Sequence, residues 1–269
     1  MQDNLSSNSR LGIKGMIPNL FTLLNLFFGC VAIVFALQTN TIVFYVNDQF
    51  NSSFNIPERI TWAAVFIIIA AVVDFLDGFV ARLLKATSEM GKQLDSLSDV
   101  VSFGVAPAVI IYQLLKLSFA REENGLDISI FWLMPAFILA CAGAYRLAKF
   151  NLDTNQQFSF RGVPIPAVGL LVASLPLILH FNQLPGVASF MLNKWFLYGL
   201  ILVLSYLMVS NVRMMSLKFK DYTIQNNIPK IILLVIAIIA AVFLQWIAIP
   251  VVFVFYVLLS LNNSKIKAE

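Results

Sequence analysis

Seven apolar runs, each long enough to cross the hydrocarbon of a bilayer, constrain this chain more than any other feature. They lie at about 17–38, 60–83, 94–117, 129–149, 164–181, 193–212 and 228–263. A helix needs roughly 20 apolar residues to span a membrane. Inside lipid each backbone N–H and C=O must be satisfied by the segment itself or by a closed barrel. Runs this long and this apolar therefore predict an all-α integral membrane protein. The last run is too long for one crossing. Pro250 and the adjacent Gln245-Trp246 predict a tight turn that divides it, for about eight transmembrane helices in all. With 59% hydrophobic and 12% charged residues and a mean hydropathy of +0.84, no stretch is left that stands as a separate soluble domain. A single membrane domain over 1–269 is expected, with a core at about 15–215, additional helices at about 228–263, and no nucleic-acid partner.

Charge gives the orientation. If the N-terminus is inside, Arg10, Lys14, Arg82, Lys85, Lys92, Arg146, Lys149, Arg161, Arg213, Lys218, Lys220, Lys230, Lys265 and Lys267 are inside too. That is fourteen of the eighteen basic residues, leaving Arg59, Lys116, Arg121 and Lys194 outside. The excess of basic residues on cytoplasmic loops then predicts both termini in the cytoplasm. The polar opening MQDNLSSNSR precedes a full-length span and does not read as a cleavable signal. With a short chain and no targeting segment, a bacterial plasma membrane is expected. Cys30 and Cys141 fall inside apolar runs and read as small buried hydrophobes. The 40–58 loop is the longest polar insertion.

Against this apolar background the stretch 74–99, DFLDGFVARLLKATSEMGKQLDSLSD, carries four aspartates. On a helix Asp74, Asp77, Gly78 and Ala81 share one face, and Asp95 and Asp99 share a face of the next segment with Gly91 one turn earlier. Four unpaired carboxylates near a bilayer repel one another and cost several kcal/mol each to desolvate. One or two Mg²⁺ or Mn²⁺ ions among them resolve the conflict, because hard divalent cations take carboxylate oxygens. The inner ends of helices two and three place this site at the cytoplasmic interface. Small residues at Gly78, Ala81 and Gly91 leave room for a flat ligand. The first span opens Ile17-Pro18-Asn19-Leu20-Phe21-Thr22, then Asn25. Pro18 suits a first helical turn, and Asn19 and Thr22 share a face at the depth of the aspartates.

The spacing Asp74-x2-Asp77-Gly78-x2-Ala81-Arg82-x8-Gly91-x3-Asp95-x3-Asp99 resembles, position for position, the signature of the CDP-alcohol phosphatidyltransferase family. The resemblance implies a membrane enzyme that displaces CMP from a CDP-linked lipid with the help of a dinuclear metal site. Asp74, Asp77 and Asp95 are then expected as metal ligands. Asp99 is expected to take the proton of the attacking hydroxyl and also to touch a metal. The Pro-Asn-x-x-Thr opening is implied to lie beside the nucleotide's phosphates, which brings in Asn19 and Thr22. The cytidine end of the substrate is implied to lie against Gly78, Ala81 and Gly91. Arg82 either pairs with the diphosphate or braces the aspartates, or simply snorkels to the interface.

Further stretches resemble the phosphatidylserine synthase branch of that family: SDVVSFGVAPA after Asp99, Arg146-Leu147-Ala148-Lys149-Phe150-Asn151, Arg161 with the following Gly-x-Pro-x-Pro-Ala, and Leu207-Met208-Val209-Ser210 with Lys218 beyond. Arg146 and Lys149 share a face at a cytoplasmic helix end. They read as topogenic charge or as capture of an anion, either a lipid phosphate or an amino-acid carboxylate. With Asn151 and Arg161 they form the expected acceptor or phosphate group. The branch implies CDP-diacylglycerol and L-serine as substrates, giving phosphatidylserine and CMP. The motif alone leaves glycerol 3-phosphate or inositol phosphate open as acceptors. A cation- or proton-coupled transporter is the rival from another class. It calls for carboxylates near mid-membrane and paired broken helices, whereas these aspartates gather at one interface and no internal repeat is evident. The last two helices are given packing, lipid contact or homodimer formation. His180, at the far end of helix five, reads as interfacial.

Overall fold

The computed structural model describes residues 2–38, 57–84, 86, 88–122, 127–152, 160–181, 186–215 and 224–266, with side chains for all of these except 2–15, 160–161, 213, 224–226 and 263–266. The 40–58 loop lies almost wholly outside the described residues, as does Lys218. The described chain is a helical membrane bundle. Helix α1 is Gln2–Leu37 and α2 is Glu58–Leu83. Then α3 (Glu89–Asp99), a π-helical segment (Val100–Val105) and α4 (Ala106–Phe119) follow as one rod. Two short 3₁₀ turns lead into α5 (Ile138–Leu152), and α6 is Ile165–Phe181, α7 Val187–Met191 and α8 Lys194–Val209. Last come α9 (Ile224–Leu244) and α10 (Ala248–Ile266). Among the described residues the one sheet is a two-stranded antiparallel pair, β1 (Phe160–Arg161) with β2 (Arg213–Met214), in the register Phe160↔Met214 and Arg161↔Arg213.

Among the described residues five helical stretches are long and apolar enough to cross a membrane: Met16–Leu37, Glu58–Leu83, Glu89–Phe119, Ile130–Leu152 and Asn227–Asn262. Helices α6 and α8, of 17 and 16 residues, are shorter but also apolar. The long final stretch is broken at Gln245–Ile247, where Gln245 takes a left-handed φ of 49°. There α9 ends, and α10 packs back against it. Pro250 falls in the first turn of α10, where its missing N–H is an orphan anyway.

Composition decides which helix is central. Helix α6 is apolar all round and is buried along most of its length, as such a helix must be. Around it, large side chains such as Phe27, Phe75, Phe79 and Phe243 face outward, as expected where the surroundings are lipid. The π segment sits at the centre, touching α1, α5 and α6. Pro107 accounts for it. A proline in mid-helix has no N–H to give and its ring clashes with the carbonyl four residues back. The ladder yields by one residue, and Ala106 N–H reaches Val101 C=O instead. Small residues let the helices close on this segment. A Cβ on Gly169 would lie 3.0 Å from Phe103 Cβ, and Gly104 lies against the Ala140 backbone. A Cβ on Gly29 would overlap Ser102.

Helix α1 differs from the expectation in one respect. It does not begin at Pro18 but runs on to Gln2, with Pro18 inside. The carbonyl freed four residues earlier, that of Lys14, precedes the apolar span that starts at Met16 and lies where water can satisfy it.

The bundle has two ends. At one, Arg59 Nη1 donates to Gln38 C=O (2.8 Å), Lys194 pairs with Glu122 (2.6 Å) and Phe181 stacks on Trp246 (6.1 Å between centroids). Exposed His180 lies here too, beside Phe181. At the other end Asn151 meets Ser96, Lys149 meets Asn211, and the β1–β2 pair closes the chain between α5 and α9. The aspartates belong to this second end.

Candidate active site

Asp74 and Asp77 project from the last turns of α2, and Asp95 and Asp99 from the last turns of α3. Ser88 starts α3 by accepting a hydrogen bond from Gly91 N–H at 3.0 Å, an N-cap that fixes where the helix begins and so where its carboxylates fall. Ligand oxygens of Asp74, Asp95 and Asp99 all lie within 4.8 Å of one another. Asp99 is buried, and Asp74 and Asp95 are half-buried. Asp77 is buried beside them and is held separately: Thr22 Oγ1 lies 2.9 Å from Asp77 Oδ2 and 3.1 Å from Pro18 C=O, and its one proton serves either.

Helix α1 is locked to this cluster in register. Ser98 Oγ donates to Thr22 C=O (3.1 Å) and Ser102 Oγ to Asn25 C=O (3.0 Å). Those two bonds set Thr22 opposite Asp77 and Asn25 opposite Asp99, where Asn25 Nδ2 lies 3.5 Å from Asp99 Oδ1. Asn25 is fully buried, and its Oδ1 has no partner among the described residues. Close approach also needs Gly91. A Cβ there would come 2.9 Å from Asn19 Oδ1 and 3.1 Å from Ser88 Oγ. Gly91 thus makes room for Asn19, while a Cβ on Gly78 would meet only Arg82 Nη2 at 4.0 Å.

Divalent cations fit this donor set. Its oxygens are hard, closely spaced and partly withdrawn from water, and among the described residues the four aspartates have no lysine or arginine as an ion-pair partner. The ion pair of Lys194 with Glu122 is at the opposite end. Carboxylates left so close and so dry cost several kcal/mol without a counter-charge. Arg82 is exposed, and its Nε donates to Gly78 C=O (2.8 Å), one turn back on its own helix.

Beside the carboxylates lies a cavity of about 190 Å³. Asp95, Asp99, Ser96 and Lys92 line it from α3, Arg146 and Asn151 from α5, and Pro164 to Pro166 from the entry to α6. Arg146 is 8% exposed, and its Nε has no hydrogen-bond partner among the described residues. Asn151 Nδ2 donates to Ser96 Oγ at 2.9 Å across the cavity's edge. Lys149 is not in the lining, since its ammonium donates to Asn211 Oδ1 at 2.7 Å. The side chain of Arg161 lies outside the described residues, but its strand is placed. Gly162 N–H donates to Val212 C=O (2.9 Å) and Val163 N–H to Leu207 C=O (3.1 Å), bringing the Pro164–Pro166 wall onto the end of α8. Gly162 has φ 72°, and a Cβ on it would overlap the Met208 carbonyl.

The structure therefore gathers Thr22 and the four aspartates at one site, and Arg146 and Asn151 around an adjoining cavity. Asn25, Ser98, Ser102 and Lys92 were given no role from sequence. One signal was present: Asn25 continues the i, i+3 stripe of Asn19 and Thr22 into an apolar helix, where an amide needs a partner.

A sequence profile described as CDP-alcohol phosphatidyltransferase matches residues 15–206. Among curated proteins, a CDP-diacylglycerol–serine O-phosphatidyltransferase of Helicobacter pylori is 34% identical over 233 residues, covering 86% of this chain and 82% of that protein. A protein of the same name from Bacillus subtilis is 32% identical over 164 residues, 61% of this chain and 79% of its own. An archaetidylserine synthase of Methanothermobacter thermautotrophicus is 37% identical over 124 residues, 45% of this chain and 49% of that protein.

Proposed function

The chain belongs to the CDP-alcohol phosphatidyltransferase family, and from that premise we propose that it transfers the phosphatidyl group of CDP-diacylglycerol to the hydroxyl of L-serine, giving phosphatidylserine and CMP. The names of its relatives support serine as acceptor. The observation that carries the reading to this chain's own residues is that Asp99 belongs both to the carboxylate cluster and to the lining of the Arg146 cavity. An acceptor in that cavity is next to Asp95 and Asp99, of which Asp99 is the one read as taking its proton, and the donor's diphosphate has the carboxylate cluster beside it.

Asp74, Asp77, Asp95 and Asp99 would hold Mg²⁺ or Mn²⁺, two ions in the full reading, with Thr22 orienting Asp77. When bound, the ions offset the diphosphate charge and stabilise the leaving CMP oxygen. The remaining work falls to side chains. Arg146, buried and without a partner at Nε, takes the serine carboxylate. Asn151, already bound to Ser96, closes the cavity edge. Asn25 steadies Asp99 from the α1 side. The serine hydroxyl oxygen then bonds to the lipid-attached phosphorus, the bond from that phosphorus to the CMP oxygen breaks, and the hydroxyl proton passes to Asp99. A carboxylate is a weak base for an alcohol, so the proton moves late, as the attacking oxygen becomes acidic. No covalent intermediate on the protein is needed.

Asn19, Gly78, Ala81, Arg82 and Gly91 form the nucleotide side in this reading, with Asn19 held against Gly91. Lys149, bonded to Asn211, stands beside the cavity rather than in its lining, and Arg161 stays with the acceptor or phosphate group as read from the sequence. The topology that goes with it is eight crossings, both termini cytoplasmic and the site at the cytoplasmic face of a bacterial plasma membrane. The basic-residue asymmetry and the break at Gln245–Ile247 support it. Acceptor choice is tested by supplying serine, glycerol 3-phosphate or inositol phosphate singly with CDP-diacylglycerol and Mn²⁺. Phosphatidylserine formed with serine alone is the expected product. Turnover driven by a phosphorylated acceptor instead would assign Arg146 to a phosphate.

A further inference from the structure

The amide of Asn151 is held by one of its two branches. Its Nδ2 donates to Ser96 Oγ at 2.9 Å, a contact that joins the end of α5 to α3. Ser96 Oγ in turn donates to Lys92 C=O at 3.1 Å, one turn back on its own helix. A hydroxyl has a single proton. With that proton turned to Lys92 C=O, Ser96 offers Asn151 only a lone pair, and a lone pair takes the NH₂ branch of an amide rather than its oxygen. The Ser96 hydroxyl therefore decides which way round the amide sits. The other branch, Oδ1, accepts no hydrogen bond among the described residues. Ser96 and Asn151 are half-buried, and both line the cavity that Arg146, Asp95 and Asp99 also line.

We propose that Asn151 Oδ1 receives the ammonium of an α-amino-acid acceptor, and that Ser96 is the positioning residue that keeps this oxygen available to it. The two charged ends of such an acceptor ask for opposite partners. Its carboxylate needs N–H donors, which the Arg146 guanidinium supplies. Its ammonium has donors only and needs an oxygen. Asp95 and Asp99 line the cavity too, but in the proposed reading their oxygens are given to the metal ions, and the Asn151 oxygen remains. The residue type matters. A carboxylate at position 151 would compete with the acceptor's own carboxylate for Arg146, whereas an amide offers an oxygen without a charge. An acceptor that lacks the amine leaves this oxygen unpaired, so the Ser96–Asn151 pair favours an amino acid over glycerol 3-phosphate or inositol phosphate.

The inference rests on the proposed function and names the contact that selects its acceptor. Its test compares full-length wild type, Asn151→Ala, Ser96→Ala, Ser96→Thr and the variant carrying both alanines, in detergent, measuring phosphatidylserine formation against serine, CDP-diacylglycerol and Mn²⁺ separately. Loss of a hydrogen bond to a charged group predicts a serine KM raised about 10- to 100-fold in Asn151→Ala. Freeing the amide to turn predicts a rise of about 3- to 10-fold in Ser96→Ala, while Ser96→Thr, which keeps the hydroxyl, stays within about twofold of wild type. The double variant matches Asn151→Ala, because Ser96 acts through the amide, and the CDP-diacylglycerol KM and the Mn²⁺ requirement stay within about twofold throughout. 3-Hydroxypropionate, which is serine without its amine, competes with serine, and Asn151→Ala leaves its inhibition constant within about twofold. An unchanged serine KM in Asn151→Ala overturns the proposal. So does a rise of the serine KM and the 3-hydroxypropionate constant together, which would assign Asn151 to packing or to the carboxylate. Additive losses in the double variant overturn the role of Ser96. Wild type that forms no phosphatidylserine from serine overturns the proposed function itself, and this inference with it.

Discussion

Replacing Arg146 by glutamine tests how the acceptor is held. Arg146 is 8% exposed, lines the cavity with Asp95 and Asp99, and has no hydrogen-bond partner at Nε among the described residues. An unpartnered charge in that position is costly until an anion arrives. A hydrogen bond between charged groups is worth about 1.5–3 kcal/mol, and each 1.4 kcal/mol is about tenfold in affinity. Arg146→Gln is therefore expected to raise the serine KM by about 10- to 100-fold. The KM for CDP-diacylglycerol should move by less than about threefold, because the carboxylate cluster serves the diphosphate and Arg146 does not. Since Nε has no bond to lose in the unliganded protein, the fold should persist, and melting in detergent checks this. Arg146→Lys keeps the charge but not the planar fork, and should fall between the two. The assay is initial-rate CMP release with each substrate varied in turn. An unchanged serine KM, or an equal rise for both substrates, would refute the reasoning; the second result would reassign Arg146 to the diphosphate.

Three other changes bear on different parts of the site. Thr22→Val removes the hydroxyl that bonds Asp77 Oδ2 at 2.9 Å, and the Mn²⁺ concentration for half-maximal activity should rise about 10- to 100-fold, as when a metal ligand loses its outer partner; an unchanged metal titration would leave Thr22 without that task. Asp99→Asn should lower kcat by about 10²- to 10⁴-fold while CDP-diacylglycerol still binds in equilibrium dialysis; normal turnover would end its role as base. Gly162→Ala puts a Cβ onto the Met208 carbonyl at φ 72°, combining backbone strain of roughly 1–2 kcal/mol with overpacking of about 1–3 kcal/mol, so a clear drop in melting temperature is expected, and a variant as stable as wild type would mean that the β1–β2 corner does not hold the cavity wall.

What sequence reading reached depended on periodicity. Helical stripes of aspartate survive any packing of the bundle, so Asp74, Asp95 and Asp99 came together as their spacing implied. Thr22, on the stripe shared with Asn19, likewise arrived at the carboxylates. Contacts across 74 residues, such as Asn25 with Asp99, depend on the register of α1 against α3. That register is set by Ser98 and Ser102 bonding to backbone carbonyls, which leaves no mark in local pattern. The π segment is similar: Pro107 was plain in sequence, but whether the ladder kinks, breaks or slips by one residue is decided by the neighbours that fill the space. That Gly91 lies against the Asn19 side chain is likewise invisible in one dimension, because it depends on how α1 meets the start of α3. The last two helices read as featureless because the bonds of Tyr256 and Ser260 to Met215 reach back more than forty residues.

The most direct measurement is the release of CMP from CDP-diacylglycerol by the purified full-length chain, with serine present or absent and with Mn²⁺ present or chelated by EDTA. Release that needs both serine and the metal, matched mole for mole by phosphatidylserine, is the predicted result. Release that persists undiminished in EDTA, or that ignores serine, would contradict a carboxylate-held metal site facing an acceptor cavity.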